Sequence, residues 1–233
     1  MNSQNHKKML LIDTANLAEI EKALKALPLV GITTCPTIIV KEKRNVFDIL
    51  KDIRKLIGDN MMLHAQVMAD TPDGILRDAI ALRNQISGDF YVKVPVTLAG
   101  FHAMPLLQKE GISFTATTIH SVAQAILAAE HGASFLAPYI NRIDNLGVSG
   151  AELVRQVADY LKMHNLPAKI LAASFRNVRQ ITDVLLAGAH TVTLSPDLAW
   201  KMTEHPMTDL SVQTFRNAWS DFYGADKDVY NLL

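Results

Sequence analysis

Residues 90–100 read FYVKVPVTLAG. Tyr91, Val92 and Val94 give this run the length and composition of a buried parallel strand, and Pro95, which has no ladder donor, marks its end. One residue does not belong to that pattern. Lys93 places an ammonium group in the middle of the apolar run, where a charge is costly. Two explanations stand: Lys93 pairs with a buried carboxylate, or its site favours the uncharged amine that a Schiff-base nucleophile requires.

On either side of this run the same kind of segment recurs. MLLIDT at 9–14, VGITTC at 30–35, MLHAQVM at 62–68, ISFTATT at 112–118, SFLAPYI at 134–140, KILAAS at 169–174 and TVTLS at 191–195 all read as strands. Between them, apolar residues fall at three- and four-residue spacing, as in Ala79, Leu82 and Ile86, or Val122, Ala125, Ile126 and Ala129, which is the pattern of helices packed on a sheet. Thr71-Pro72-Asp73 and Ser149-Gly150-Ala151-Glu152 are helix-start signals. Eight βα units without a long linker predict one domain over residues 1–233, a (β/α)8 TIM barrel with a C-terminal helical extension over about 207–233. The rival architecture is an open doubly wound sheet. LIDTANLAEI follows the first strand without the glycine-rich fingerprint which that alternative would carry.

The bulk properties narrow the function. Lysine plus arginine and aspartate plus glutamate both number 23 in 233 residues. No basic footprint for nucleic acid or anionic membrane is therefore expected, and a small molecule is the expected partner. Asp13 interrupts the first apolar stretch too early for a signal sequence, and Glu130 and His131 break the longest apolar tract, residues 123–140, so no membrane span and a cytoplasmic location are expected. The single cysteine, Cys35, excludes an internal disulfide and a cysteine-based zinc site. The histidines form no HExxH or similar close cluster, and no metal or other cofactor is expected. His102, His120, His131 and His164 read as surface or satisfied groups in helical patterns, whereas His64 alternates with Gln66 on a strand and is a lesser candidate to face the site.

In a barrel of this kind the reacting groups come from the C-terminal ends of the strands. Polar residues gather there: Asp13, Thr33 and Thr34, Gln66, Lys93, Thr117, Tyr139 with Asn141 and Arg142, and Ser174 with Arg176. Each has an ordinary explanation taken singly. Asp13 or Ser174 would cap the next helix, Gln66 would satisfy a core hydrogen bond, and Arg142 would be a solvated loop charge. Their recurrence at the same end of seven strands favours a site.

Several of these motifs, in this order, resemble the small class I transaldolase family and, within it, the fructose-6-phosphate aldolase branch. The resemblance rests on LLIDTANL, GITTCPTII, AQVM, VKVPVT, EGI before the Thr117 strand, APYINRID and LAASFRNVRQ. It implies that Lys93 forms an imine with a ketose or with dihydroxyacetone. A protonated imine accepts the electrons released by retro-aldol cleavage better than a ketone does, and burial among apolar neighbours would favour the free amine. Gln66 and Tyr139 stand where transaldolases proper carry glutamate and phenylalanine. The resemblance therefore casts Tyr139 as acid/base, Gln66 and Thr117 as holders of a relay water, and Asp13 as the group that holds substrate hydroxyls and assists proton transfer. Thr33, Cys35 and Ser174 would bind substrate, and Arg142, Ser174 and Arg176 the phosphate of an aldehyde such as glyceraldehyde 3-phosphate. Transaldolase transfer and a sugar-phosphate-binding barrel without turnover are the rival functions.

The chain departs from the resembled pattern where GITTCPTII replaces the family's asparagine with Cys35. Beyond the barrel, Val212, Phe215, Trp219 and Phe222 in DLSVQTFRNAWSDFYG, residues 209–224, form an aromatic stripe on one helix. The resemblance implies that this helix is exchanged within a homo-oligomer, a decamer or another pentamer-based ring.

Overall fold

The computed structural model describes residues 10–233. The opening MNSQNHKKM, which precedes the apolar stretch judged too short for a signal sequence, lies outside the described residues. Eight strands alternate with helices: β1 (Leu10–Asp13), β2 (Leu29–Thr33), β3 (Met62–Gln66), β4 (Phe90–Pro95), β5 (Phe114–Ile119), β6 (Phe135–Pro138), β7 (Lys169–Ala172) and β8 (Thr191–Leu194). All pairings are parallel and follow chain order, and β1 pairs with β8, with Leu10 opposite Val192. The barrel is closed. The doubly wound alternative is thereby excluded, because an open sheet would leave two edge strands unpaired.

The helices are α1 (Leu17–Ala26), α2 (Pro36–Ile39), α3 (Val46–Ile57), α4 (Pro72–Gln85), α5 (Leu98–Lys109), α6 (Val122–Glu130), α7 (Ile140–Asp144), α8 (Gly150–Met163), α9 (Val178–Leu186), α10 (Pro196–Lys201) and α11 (Pro206–Tyr223). Thr71 and Ser149 cap α4 and α8 through their side-chain oxygens, as their sequence signals predict. Asp13 and Ser174 do not serve as caps. Asn16 caps α1 and Asn177 caps α9, so both Asp13 and Ser174 lose their ordinary explanation.

Strand alternation separates two cores. Val92 and Val94 are fully buried on the outer face of β4, against the helices, while Tyr91 and Lys93 point the other way. Inside the barrel Leu11, Phe135 and Leu171 pack together with Val30, Met62 and Tyr91. Nearer the C-terminal ends the interior turns polar, with Thr33, Thr115, Thr117 and Thr193 all buried. Gly100, in the first turn of α5, allows that helix to begin hard against β4. A Cβ there would run into the Pro95 carbonyl.

The chain divides into two compact units, one through Ala199 and one from Trp200 to Leu233. In the second unit, the Trp219 ring packs at a tilt against Tyr223 with centroids 4.5 Å apart and donates from Nε1 to the Lys227 carbonyl at 2.6 Å. Phe215 and Phe222 remain 70% and 80% exposed. No described helix is long and apolar enough to cross a membrane.

Candidate active site

Lys93 is 5% exposed, and its Nζ donates to the backbone carbonyl of Thr34 at 2.8 Å. Among the described residues it forms no ion pair with any carboxylate. The first explanation of the buried lysine therefore fails. A structural ammonium in this position would need a carboxylate partner to offset its desolvation, and a lone carbonyl is a weak substitute.

Register brings the neighbours of Lys93 together. Gln66 on β3 and Thr115 on β5 lie directly opposite it. Asp13 lies opposite Thr33, whose Oγ1 donates to Asp13 Oδ1 at 2.6 Å and lies 2.7 Å from Thr193 Oγ1. With the Thr33 proton given to the carboxylate, Thr193 is the donor in the second contact. Thr33 is fully buried, so its hydroxyl orients Asp13. The part-exposed carboxylate is the end of this chain that faces solvent.

The Tyr139 side of the site is built by β5, β6 and β7. Thr117 Oγ1 donates to the Tyr139 hydroxyl at 3.3 Å. Tyr139 continues β6 as an isolated bridge to Ala173, and the Asn141 N–H donates to the Ser174 carbonyl at 2.9 Å. Ser174 has a φ of 62°, a left-handed conformation uncommon outside glycine and concentrated at functional sites. Gln180 locks the loops after β6 and β7 together. Its Nε2 donates to Asp144 at 2.7 Å, and its Oε1 accepts from the Arg176 backbone N–H at 2.9 Å. The Arg142 guanidinium lies 5.0 Å above the Tyr139 ring. Neither Arg142 nor Arg176 forms an ion pair among the described residues, and both side chains are exposed, which leaves them open to a phosphate.

Cys35 follows the carbonyl that receives Lys93, and its Sγ lies 3.1 Å from Thr37 Oγ1. It lines a largely apolar cleft of ≈ 490 Å³ with Thr34, Gln66, Phe47 and Met68. The Gln66 side chain makes no hydrogen bond among the described residues, so its amide is available to a water or a substrate.

Two histidines depart from the expectations. His64 is fully buried inside the barrel, stacked on Tyr91 at 4.8 Å and edge-on to Phe135 at 5.2 Å. Its Nδ1 shares a 2.9 Å hydrogen bond with Thr115 Oγ1, while its Nε2 is buried without a partner among the described residues. Burial, reinforced by Lys93 whenever that amine is protonated, holds the imidazole well below its ordinary value and hence neutral. Burial also pushes the Tyr91 phenol beneath it up to about 12, with Asp89 adding to the effect, so this floor carries no charge of its own at neutral pH. His120 corrects the sequence reading outright. It lies in the loop between β5 and α6, not in a helix, and its ring meets Tyr139 with centroids 5.7 Å apart. Its place directly after the fifth strand was the signal that helical spacing obscured.

A family model described as Transaldolase/Fructose-6-phosphate aldolase matches residues 10–229. The chain belongs to the transaldolase/fructose-6-phosphate aldolase family. A protein named probable fructose-6-phosphate aldolase, from Streptococcus pneumoniae (strain ATCC 700669 / Spain 23F-1), is 44% identical over 210 residues, covering 90% of this chain and 95% of that one. Membership makes this chain a Schiff-base enzyme, a class I aldolase. Among solved structures, inosine 5′-monophosphate dehydrogenase from Legionella pneumophila superposes with a TM-score of 0.54 at 15% identity, covering 82% of this chain and 58% of that one. This chain spans little more than half of that enzyme's length, and the likeness is one of fold alone.

Proposed function

We propose that the enzyme cleaves and forms fructose 6-phosphate, or a closely similar ketose phosphate, by way of dihydroxyacetone and glyceraldehyde 3-phosphate. The observation that carries this reading is the buried Lys93, which donates to a backbone carbonyl and forms no ion pair among the described residues. Its amine attacks the ketose carbonyl, and loss of water gives an imine bonded to Nζ. Tyr139 takes the proton from the hydroxyl on C4, the C4 oxygen becomes the aldehyde carbonyl as the C3–C4 bond breaks, and that bond's electron pair moves into the imine to give an enamine. The aldehyde leaves. Protonation of the enamine carbon and hydrolysis then release dihydroxyacetone and restore the amine.

Asp13, held by Thr33, is suited to the donor hydroxyls. Gln66 and Thr117 are suited to a water that relays protons to Tyr139. Ser174, Arg142 and Arg176 are suited to the phosphate, since guanidinium groups bind phosphate bidentately. The 3.3 Å contact between Thr117 and Tyr139 favours direct cleavage over transaldolase transfer, because it gives the phenol a proton partner that a phenylalanine could not use. Incubation with fructose 6-phosphate and no aldose phosphate tests the choice. Free dihydroxyacetone should accumulate; a three-carbon unit that moves only when an aldose phosphate is supplied would identify a transaldolase.

A phosphorylated substrate suits a cytoplasmic enzyme, and the same reading includes assembly. The exposed Phe215 and Phe222 face of α11 suits a second copy of the chain, within a pentamer-based homo-oligomer. Removal of residues after Pro206 should then reduce the sedimenting mass, and a full-length chain that sediments as a monomer would refute the assembly.

A further inference from the structure

His120 follows the last residue of β5 and precedes Ser121, the N-cap of α6. Three features aim its ring. The pairing of β5 with β6 slips register between Ala116 and Ile119, and within that slip Thr118 has a φ of 60°. A β-branched residue at positive φ is strained and persists only where its surroundings impose it, and register slips at barrel rims re-aim the side chains beside them.

The Thr118 carbonyl lies 2.7 Å from His120 Nδ1. A carbonyl oxygen only accepts, so Nδ1 carries a proton and the neutral ring keeps its lone pair on Nε2. The His120 backbone N–H is held in turn by Gln124 Oε1 at 2.9 Å. The ring then meets that of Tyr139 edge to face, inclined by 64°. Nε2 has no partner among the described residues, although the side chain is half buried.

We infer that His120 is a substrate-contacting residue that selects the acceptor, its Nε2 bonding the hydroxyl on the carbon next to the aldehyde. The inference rests on the aldolase reading, in which Tyr139 exchanges a proton with the aldehyde oxygen. The neighbouring carbon of the acceptor then lies one bond away from the carbon that Tyr139 serves, and a ring packed against Tyr139 is placed to meet its hydroxyl. The Nε2 lone pair accepts from such a hydroxyl. It can accept nothing from a methylene, so a 2-deoxy acceptor leaves a half-buried polar atom unpaired. A histidine that merely propped up Tyr139 would need its ring but not this nitrogen.

The test compares specificity constants for glyceraldehyde and 3-hydroxypropanal, with one donor throughout, in wild type and in three variants. His120→Phe keeps the ring contact without the nitrogen, His120→Asn replaces the Nδ1 side but is too short to reach the Nε2 position, and His120→Gln reaches it. The ratio favouring glyceraldehyde should fall about three- to tenfold in His120→Phe and His120→Asn, as loss of one hydrogen bond implies, and should be largely restored in His120→Gln. Should the phenylalanine variant fail to fold, the two amide variants read the same difference. Equal losses with both aldehydes, or an unchanged ratio, would overturn the assignment. A wild type that converts neither aldehyde and traps no imine on Lys93 would refute the aldolase reading itself, a result seen before any variant is made.

Discussion

Lys93 Nζ and the Thr34 carbonyl are joined by a 2.8 Å hydrogen bond between β4 and the loop after β2, and among the described residues the lysine forms no ion pair. The bond aims the amine. It also ties Lys93 to the loop that carries Cys35, so the clearest departure from the resembled pattern and the proposed nucleophile share a backbone element.

That link motivates a prediction at Cys35. An asparagine there would offer two donors and an acceptor, where a thiol offers one weak donor and one weak acceptor. In Cys35→Asn the ratio of specificity constants for dihydroxyacetone and hydroxyacetone should change about two- to tenfold, the worth of one hydrogen bond to a bound hydroxyl. An unchanged ratio would make Cys35 a packing residue of the cleft it lines.

Tyr139→Phe should retain the ring contacts with His120 and Arg142 and lose only the hydroxyl. Direct cleavage of the ketose phosphate should then fall by about 10²–10⁴-fold, the usual worth of a positioned acid/base, and transfer to an aldose phosphate acceptor should fall less. Equal losses in the two assays would remove the phenol from the proton path.

His64 makes a prediction about stability and pH. Its folded form resists protonation because of burial and Lys93, whereas the unfolded chain protonates near the ordinary value of about 6.5. The unfolded state therefore binds more protons than the native state below that pH. The stability tied to His64 is complete above about 6.5 and is lost as pH falls from there towards the depressed folded value, at up to about 1.4 kcal/mol per pH unit. Denaturant titrations between pH 7.5 and 5.5 should show this slope in the wild type. In His64→Phe, which keeps the stack on Tyr91 and removes the unpartnered Nε2, the slope should shrink by about one proton. The same slope in both proteins would show that His64 protonates freely in the fold.

The barrel was legible because each buried parallel strand is a short apolar run that local composition reveals, and all eight lie where those runs stand. The polar residues at the strand ends followed from barrel geometry alone. What escaped the sequence depends on distance and local backbone. Thr193 meets Thr33 from 160 residues away, a relation that no spacing rule exposes. Asp13 and Ser174 read as helix caps in the sequence, a role that Asn16 and Asn177 fill in the fold. His120 reads as helical because α6 begins two residues later, and the left-handed Thr118 that turns it towards Tyr139 leaves no mark in composition. The burial of His64 within the barrel was half legible, since alternation with Gln66 gives the face but not the depth.

Reductive trapping tests the central claim most directly. Wild type and Lys93→Met are incubated with dihydroxyacetone or fructose 6-phosphate, treated with borohydride, and digested for mass spectrometry. Methionine fills a similar volume and offers no amine, so the variant should fold, lose turnover and take up no adduct, while the wild type should carry a substrate-dependent adduct on the peptide containing Lys93. An adduct on a different lysine, or turnover in Lys93→Met within about tenfold of the wild type, a loss of under about 1.4 kcal/mol in transition-state stabilisation, would contradict the assignment of Lys93 as the imine-forming residue.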